Sequence, residues 1–358
     1  MTIPTMEGVR ARTVTTERLQ TRVLFSGPDD GEPVLFLHGN LSSATWWEEV
    51  MVTLPAGYRG IAPDQRGFGD ADPQKKVDAT RGLADLAEDA VALMDYLEIR
   101  TAHLVGNSLG GSVMWWLLAD YSERFLTATM AAPGSPYGFC ATKDIEGTPC
   151  YDDYAGSGAG LVNPTLLERV KQGDRTLDSP FSPRLALRNL VYKPPFVPRR
   201  EEEMLSAALA IHIGERDWPG DKQLSPNWPG FAPGRWGAAN ALSPKYALEE
   251  TRIINAEPKV PILWVRGSHD LSVSDNGATD PGTLGEAGLI PGWPGRDVFP
   301  PQPMVSQTRS VLEQVADAGG AFQEVIIEET GHVPFIEDTN KFNEHFHAHL
   351  RSVKEAPM

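Results

Sequence analysis

The sequence has few cysteines, no long apolar segment and a shortage of basic residues. Its 358 residues include only Cys140 and Cys150, which excludes a disulfide scaffold. Two free thiols are favoured over a bridge across the loop between them. No spacing of Cys and His is typical of a metal site, so we expect no metal. The longest apolar run, residues 113–119, is too short to cross a bilayer.

The shortage of basic residues gives the chain a strong negative charge. Lys and Arg number 32 against 48 Asp and Glu, a net charge of −16. Such a chain repels phosphate backbones and anionic lipids, so nucleic-acid and membrane-surface binding are not expected. The first residues contain no apolar segment typical of a signal peptide, and we therefore expect a cytoplasmic protein. A monomer and a homo-oligomer both remain open.

The apolar pattern alternates between strand and helix. Short apolar runs predict buried strands at residues 34–37, 58–63, 102–105, 125–131, 261–265 and 324–327. Apolar residues at helical spacing predict helices at residues 80–97, 109–121, 305–318 and 340–353. Residues 10–25 could form an antiparallel hairpin leading into the sheet. This order predicts an α/β fold, with a mostly parallel central sheet and helices on both faces.

The alternation is interrupted in the middle of the chain. Residues 133–258 contain helical segments at 164–171, 183–191 and 201–213, separated by loops rich in Pro, Gly and Trp. No strand of the sheet type stands out there. We therefore expect a core formed by residues 1–132 and 259–358, with residues 133–258 as a helical cap insertion. Residues 270–304 form a long loop that we expect to be ordered near the functional site.

The clearest chemical signal is the sequence GNSLGG at residues 106–111. It follows the strand predicted at 102–105 and opens an apolar helix, which is the context that gives a G-x-S-x-G motif its meaning. Such a turn presents the Ser108 hydroxyl above the sheet. It also aims the backbone N–H of Leu109, at the positive end of the helix dipole, at the space where an oxyanion would form. Ser108 is therefore a candidate nucleophile.

A serine nucleophile needs a base, and the base needs an orienting carboxylate. His332 follows the predicted strand at 324–327, on a loop that can lean over the sheet edge. Asp270 follows the strand at 261–265, which gives the chain order Ser, Asp, His. Asp275 and Asp280, deeper in the long loop, are the alternative carboxylates.

A second oxyanion donor is expected from the loop after the first central strand. In the sequence His38-Gly39-Asn40-Leu41, Gly39 allows close approach of the backbone, and the amide of Asn40 would donate. The amide of Leu41 is a less favoured donor. Alternatively, Asn40 only caps the next helix, a role for which Ser42 and Ser43 compete.

Five motifs resemble those of serine hydrolases of the α/β-hydrolase superfamily that carry an inserted cap. They are HGN at 38–40, DQRGFG at 64–69, GNSLGG at 106–111, GSHD at 267–270 and GHVPF at 331–335. The resemblance implies the α/β-hydrolase fold and a structural role for residues 64–69 near the site. Haloalkane dehalogenases and epoxide hydrolases carry Asp at the nucleophile position, so Ser108 argues against both.

The expected function is hydrolysis of a small, mostly apolar carboxylic ester, lactone or amide through an acyl–Ser108 intermediate, without a cofactor. The cap and the long loop are also similar to those of bacterial hydrolases of N-acyl homoserine lactones, although no diagnostic residue supports this. One alternative is C–C bond hydrolysis of a diketone-type substrate, which uses the same residues. Another is a hydrolase-fold protein that only binds a ligand.

Overall fold

A computed structural model describes residues 3–352 and contains one large sheet. The strands of the chain are β1 (Val9–Thr15), β2 (Gln20–Ser26), β3 (Glu32–Leu37), β4 (Tyr58–Pro63), β5 (Ala102–Ser108), β6 (Phe125–Pro133), β7 (Ile213–Gly214), β8 (Trp218–Pro219), β9 (Lys222–Leu224), β10 (Phe231–Pro233), β11 (Ile262–Gly267) and β12 (Phe322–Ile327). The eight-stranded sheet has the order β1-β2-β4-β3-β5-β6-β11-β12. Only the β1–β2 and β2–β4 pairings in this sheet are antiparallel. The predicted hairpin and the mostly parallel sheet are therefore confirmed.

The helices match the sequence pattern where they flank the sheet. They are α1 (Glu48–Val52), α2 (Ala84–Tyr96), α3 (Leu109–Asp120), α4 (Pro164–Lys171), α5 (Pro183–Ala186), α6 (Glu201–Leu209), α7 (Ala238–Ala241), α8 (Glu250–Ile254), α9 (Pro281–Glu286), α10 (Met304–Asp317), α11 (Pro334–Glu337) and α12 (Thr339–Ser352). The helix predicted at 340–353 corresponds to α12, and its last residue lies outside the described residues.

Side-chain alternation along the strands builds a core on each face of the sheet. In β3, Leu35 and Leu37 join one apolar cluster, while Val34 and Phe36 join the other. The first cluster includes apolar residues of α2, α3 and α10, and the second includes residues of α1 and α12. Because both faces of the parallel strands are covered, these strands read as continuous apolar runs in the sequence.

The region predicted as a helical cap is only partly helical. Residues 133–258 contain α4 to α8, but also β7 to β10, which form two small two-stranded sheets. The helix predicted at 201–213 ends at Leu209, and Ile213 begins β7. The segment predicted as one helix at 183–191 is α5 followed by a π-helical turn, Leu187–Val191. None of these four strands joins the eight-stranded sheet. The role of this region as a cap stays a prediction.

The long loop after β11 includes a helix that the sequence pattern did not predict. Asp280 caps α9, and the loop continues to the start of α10. Cys140 and Cys150 are free thiols in this structure. Among residues 3–352, no helix is long and apolar enough to span a membrane.

Candidate active site

Ser108 stands at a sharp turn between β5 and α3. It is the last residue of the strand, and its φ of 53° lies in the left-handed region that non-glycine residues rarely adopt. Strain of this kind is concentrated at functional sites. Gly110 allows the helix to start close to the sheet, because a Cβ there would lie 2.2 Å from the carbonyl oxygen of Leu37. The turn places Ser108 at the carboxyl end of a central strand.

The structure brings Asp270 and His332 into direct contact. His332 Nδ1 lies 2.8 Å from Asp270 Oδ2, and both side chains are buried. Asp270 is held by the backbone, since its Oδ1 accepts hydrogen bonds from the N–H groups of Ser272 (2.8 Å) and Val273 (3.0 Å). A neutral imidazole that donates from Nδ1 has an unprotonated Nε2, which can accept a proton. The pair has the geometry of a base with its orienting carboxylate.

Asn107 ties the serine turn to the histidine loop. Its Nδ2 donates to the carbonyl oxygens of Ala131 (2.9 Å) and His332 (3.2 Å). Within residues 3–352, the Ser108 hydroxyl forms no hydrogen bond, so its predicted contact with His332 is not made in this structure. Catalytic hydrogen bonds are often long before substrate binds. The catalytic roles of Ser108, Asp270 and His332 stay predictions.

The loop after β3 lies against Ser108. A Cβ on Gly39 would lie 2.8 Å from Asn107 Oδ1 and 3.1 Å from Ser108 Cβ, so only glycine permits this approach. The carbonyl oxygen of Gly39 is held by His38 Nδ1 and by the Ser42 hydroxyl, each at 2.8 Å. In a trans peptide the C=O and N–H groups point in opposite directions. The N–H of Asn40 therefore points away from those two groups.

His38 holds the carbonyl group of Gly39, a contact that was not predicted from the sequence. The backbone N–H of Gln65 donates to His38 Nε2 at 3.0 Å, which leaves the proton on Nδ1 to bond with Gly39. Burial lowers the pKa of His38 to about 4, although its bond to Gly39 opposes the shift. The imidazole is therefore neutral at neutral pH. Its position next to Gly39 at the end of β3 was the only signal for this role in the sequence.

The hydrogen bonds of the loop after β3 narrow the choice of oxyanion donor and of helix cap. The N–H of Leu41 donates to Asn40 Oδ1 at 3.0 Å, so this amide already has a partner. The helical turn Ala44–Trp47 is capped by Ser43, whose Oγ accepts from the N–H of Thr45 at 3.4 Å. The Asn40 side chain does not cap this turn. Asn40 and Leu109 remain the predicted oxyanion donors.

The alternative carboxylates are used elsewhere. Asp275 accepts hydrogen bonds from the N–H groups of Val305 (2.8 Å) and Ser306 (3.0 Å) at the start of α10. Asp280 accepts from Thr283 at 3.1 Å at the start of α9. Neither forms a hydrogen bond with His332. Among the residues that the structure describes, no group of His, Cys, Asp and Glu is arranged to hold a metal ion.

The aromatic pair that follows the predicted donor loop, Trp46 and Trp47, contributes to packing. Trp46 stacks on Tyr192, with ring centroids 6.1 Å apart, and its Nε1 donates to the carbonyl oxygen of Met204 at 3.1 Å. Trp47 stacks on Phe335, with ring centroids 4.0 Å apart. Both tryptophans are buried. Trp46 thus connects the segment after β3 to the predicted cap.

Sequence comparison agrees with the observed fold. A family model described as the alpha/beta hydrolase fold matches residues 32–148, which contain β3 to β6 and Ser108. The chain has the α/β-hydrolase fold. Solved structures agree on this fold. A serine hydrolase from a Cycloclasticus bacterium that degrades polyaromatic hydrocarbons has a TM-score of 0.60 at 15% identity, covering 98% of this chain and 100% of that chain.

Curated relatives match part of this chain. A 2-hydroxy-6-oxo-6-phenylhexa-2,4-dienoate hydrolase of Burkholderia cepacia is 32% identical over 154 residues, 42% of this chain and 46% of that protein. An uncharacterized carboxylesterase of Bacillus subtilis is 32% identical over 182 residues, 48% of this chain and 59% of that protein. The chain spans about half the length of the curated relatives it matches.

Proposed function

We propose that this α/β-hydrolase is a serine hydrolase that cleaves a small, mostly apolar carboxylic ester, lactone or amide. The proposal is carried by the buried His332–Asp270 pair, which Asn107 joins to the turn bearing Ser108. The names of the curated relatives, a carboxylesterase and a dienoate hydrolase, support hydrolysis of a carbonyl compound.

In the first half of the proposed reaction, the Ser108 oxygen attacks the substrate carbonyl carbon. His332 Nε2 takes the hydroxyl proton as the new C–O bond forms, and Asp270 stabilises the resulting imidazolium. The oxygen of the tetrahedral intermediate accepts hydrogen bonds from the N–H groups of Asn40 and Leu109. His332 then gives its proton to the leaving oxygen or nitrogen, and the acyl–Ser108 ester remains.

In the second half, water releases the acyl group. His332 removes a proton from the water as its oxygen attacks the acyl carbon, and the second tetrahedral intermediate uses the same two N–H donors. Its collapse returns the proton to Ser108 and frees the carboxylic acid. Each of these steps uses groups of the chain and water.

C–C bond hydrolysis is the second candidate, favoured by the similarity to the dienoate hydrolase. The same three side chains would serve it. A dienoate from ring cleavage, offered beside p-nitrophenyl esters, separates the two candidates by which substrate is turned over faster. A panel of esters, lactones and amides of graded acyl length, including N-acyl homoserine lactones, then defines the substrate class.

The Ser108→Ala variant tests the mechanism. Hydrolysis of p-nitrophenyl butyrate is expected to fall by at least about 10⁴-fold, because the nucleophile is removed. Covalent labelling by a fluorophosphonate probe, followed by intact mass, is expected in the wild type and lost in the variant. Near-normal turnover by Ser108→Ala would contradict the mechanism.

Ser310→Ala is the matched control, since its hydroxyl forms no hydrogen bond among residues 3–352 and lies on α10. It is expected to keep wild-type turnover and labelling. A wild-type protein that takes no label, hydrolyses no substrate and binds a ligand tightly would instead be a hydrolase-fold binding protein.

A further inference from the structure

Glu337, the last residue of α11, bonds to the loop that carries His332. Its Oε1 accepts a hydrogen bond from the N–H of Gly331 at 2.8 Å. Its Oε2 accepts one from the N–H of Lys193 at 2.7 Å. Gly331 directly precedes the proposed base, whereas Lys193 lies in the predicted cap. One carboxylate therefore joins the base loop to a segment far away in the sequence.

The same segment of the predicted cap also contacts His332 and the acid loop. The backbone N–H of His332 donates to the carbonyl oxygen of Val191 at 2.8 Å. The Ser272 hydroxyl donates to the carbonyl oxygen of Leu190 at 3.1 Å, and the N–H of Ser272 donates to Asp270 Oδ1 at 2.8 Å. Residues 190–193, which we name the clamp segment, thus meet the loops of both members of the acid–base pair.

The charge of Glu337 is held in a half-buried position. Burial raises the pKa of its carboxyl above the ordinary value, and the charge of Asp270 adds to the rise. The N–H groups of Lys193, Gly331 and Val333 oppose it by stabilising the ionised form. An ionised carboxylate in a half-buried position costs free energy unless it accepts well-formed hydrogen bonds. The backbone N–H groups that bond to Glu337 are therefore held firmly.

We propose that Glu337 is a positioning residue for His332, which fixes the base against the clamp segment so that its imidazole stays aligned with Asp270 and Ser108. The inference rests on the proposed function. The charged side chain of Lys193 pairs with Glu329 at the surface, so it is the backbone N–H of Lys193 that serves Glu337. Movement of the clamp segment, which is part of the predicted cap, would therefore move the loop that carries His332.

Glu337→Gln tests the inference, because the amide replaces one acceptor oxygen with an NH₂ group that faces a backbone N–H. With p-nitrophenyl butyrate, kcat is expected to fall about 10- to 100-fold, the effect of a displacement on the order of 1 Å in a catalytic group. KM is expected to change less than about threefold, because the substrate contacts remain. The pH profile of kcat/KM is expected to change, because the loop that carries the base is no longer held as in the wild type.

Asp221→Asn is the matched control. Asp221 is also partly buried and also accepts two backbone hydrogen bonds, from Arg235 (2.9 Å) and Trp236 (2.7 Å), but it forms no bond to the loops of Asp270 or His332. It is expected to keep the wild-type kcat, KM and pH profile. A Glu337→Gln protein that loses thermal stability but keeps all three of these would overturn the inference and leave Glu337 a purely structural residue.

Two further measurements keep the outcome decisive. If Glu337→Gln does not fold, Glu337→Asp replaces it, since a carboxylate one methylene shorter cannot reach both N–H groups. Its kcat is expected to fall, and wild-type kcat with an unchanged pH profile would overturn the inference.

Fluorophosphonate labelling of wild-type Ser108 separates the proposed function from the proposed role of Glu337. Without labelling or hydrolysis in the wild type, the proposed function fails and takes this inference with it, whereas wild-type labelling rates in a folded Glu337→Gln protein reject this inference alone.

Discussion

Ser42 shares with His38 the task of holding the carbonyl oxygen of Gly39. Ser42→Ala removes one of these two donors, so the peptide plane that carries the N–H of Asn40 becomes less firmly fixed. We expect kcat for p-nitrophenyl butyrate to fall about 3- to 10-fold, less than when an oxyanion donor itself is removed. KM is expected to stay close to its wild-type value, and steady-state kinetics measure both.

Ser43→Ala is the natural control for this prediction. Ser43 is equally buried but caps the helical turn Ala44–Trp47 and has no bond to Gly39. Its loss is expected to cost about 1 kcal/mol of stability, the usual value of an N-cap, and to leave kcat unchanged. Equal kcat values in the two variants would show that Ser42 does not position the donor.

Those site residues whose chemistry follows from local context could be predicted from the sequence. Ser108 was marked by its strand–turn–helix context, and Asp270 and His332 by their places after strands; the contact between the latter two is now observed. Glu337 could not be predicted, because its partner Lys193 lies in a distant part of the chain. The role of His38 could not be predicted either, because its Nε2 is fixed by the N–H of Gln65 on a different loop. The bond from Lys193 to Glu337 spans 144 positions, and no periodicity reports such a contact.

At the scale of elements, the loop after β4 is fastened to α2 by a buried ion pair. Arg66 Nε and Nη2 each lie 2.7 Å from an oxygen of Asp89, and both side chains are buried. Arg66→Leu leaves a buried carboxylate with only Arg18 as partner, at 3.0 Å. We expect a loss of about 3 kcal/mol in the free energy of unfolding, the lower end for a broken buried pair. Urea denaturation measures it.

A comparison within the same protein sharpens this prediction. Arg296 forms a bidentate pair with Glu286, also with both distances at 2.7 Å, but at the surface. Arg296→Leu is expected to leave the urea midpoint almost unchanged, because solvent screens exposed pairs. If both variants shift the midpoint equally, burial does not account for the strength of the Arg66 pair. The predicted structural role of residues 64–69 would then lose its main support.

Long elements with a regular apolar pattern were predictable, and short ones were not. The helix predicted at 80–97 is broken at Gly82, whose φ of 59° ends the turn Ala79–Arg81 before α2 begins. β7 has two residues, too few for alternation to be recognised. α9 carries two glycines and forms nonetheless, since Asp280 caps it and it packs into the interior. Whether these short elements form, and where they end, depends on tertiary contacts.

At the scale of the whole molecule, alternating strands and helices were enough to predict a mostly parallel sheet. The strand order was not predictable from periodicity, because β4 lies between β2 and β3 and therefore breaks the order of the chain. Which edges meet depends on crossover connections and on apolar surfaces that only the assembled sheet brings together. The resemblance to a known family named the fold, and the sequence pattern itself gave no strand order.

The dependence of global stability on pH combines buried groups of opposite sign. The pKa of His38 is lowered by burial to about 4, so its contribution is present above the ordinary value of 6.5 and is lost as the pH falls toward 4. The pKa of Asp280 is raised by burial from 3.8 to about 6. Its contribution is present below pH 3.8 and is lost as the pH rises through 6. Between pH 4 and 6 the two effects oppose each other.

Asp280→Asn isolates one of these effects. Between about pH 4 and 6 the unfolded wild type loses its Asp280 proton while the folded state keeps it, so wild-type stability falls by about 3 kcal/mol from this group alone. Asn still caps α9 and cannot ionise, so its altered hydrogen bonds give an offset that does not change with pH. We expect the stability of the variant, relative to the wild type, to rise by about this amount across the window and then level off. Urea unfolding of both proteins at intervals from pH 4 to 7 measures the difference. A difference that is constant across these pH values would mean that Asp280 ionises as readily in the folded protein as in the unfolded chain. Its carboxyl group would then be more accessible to solvent than its burial indicates.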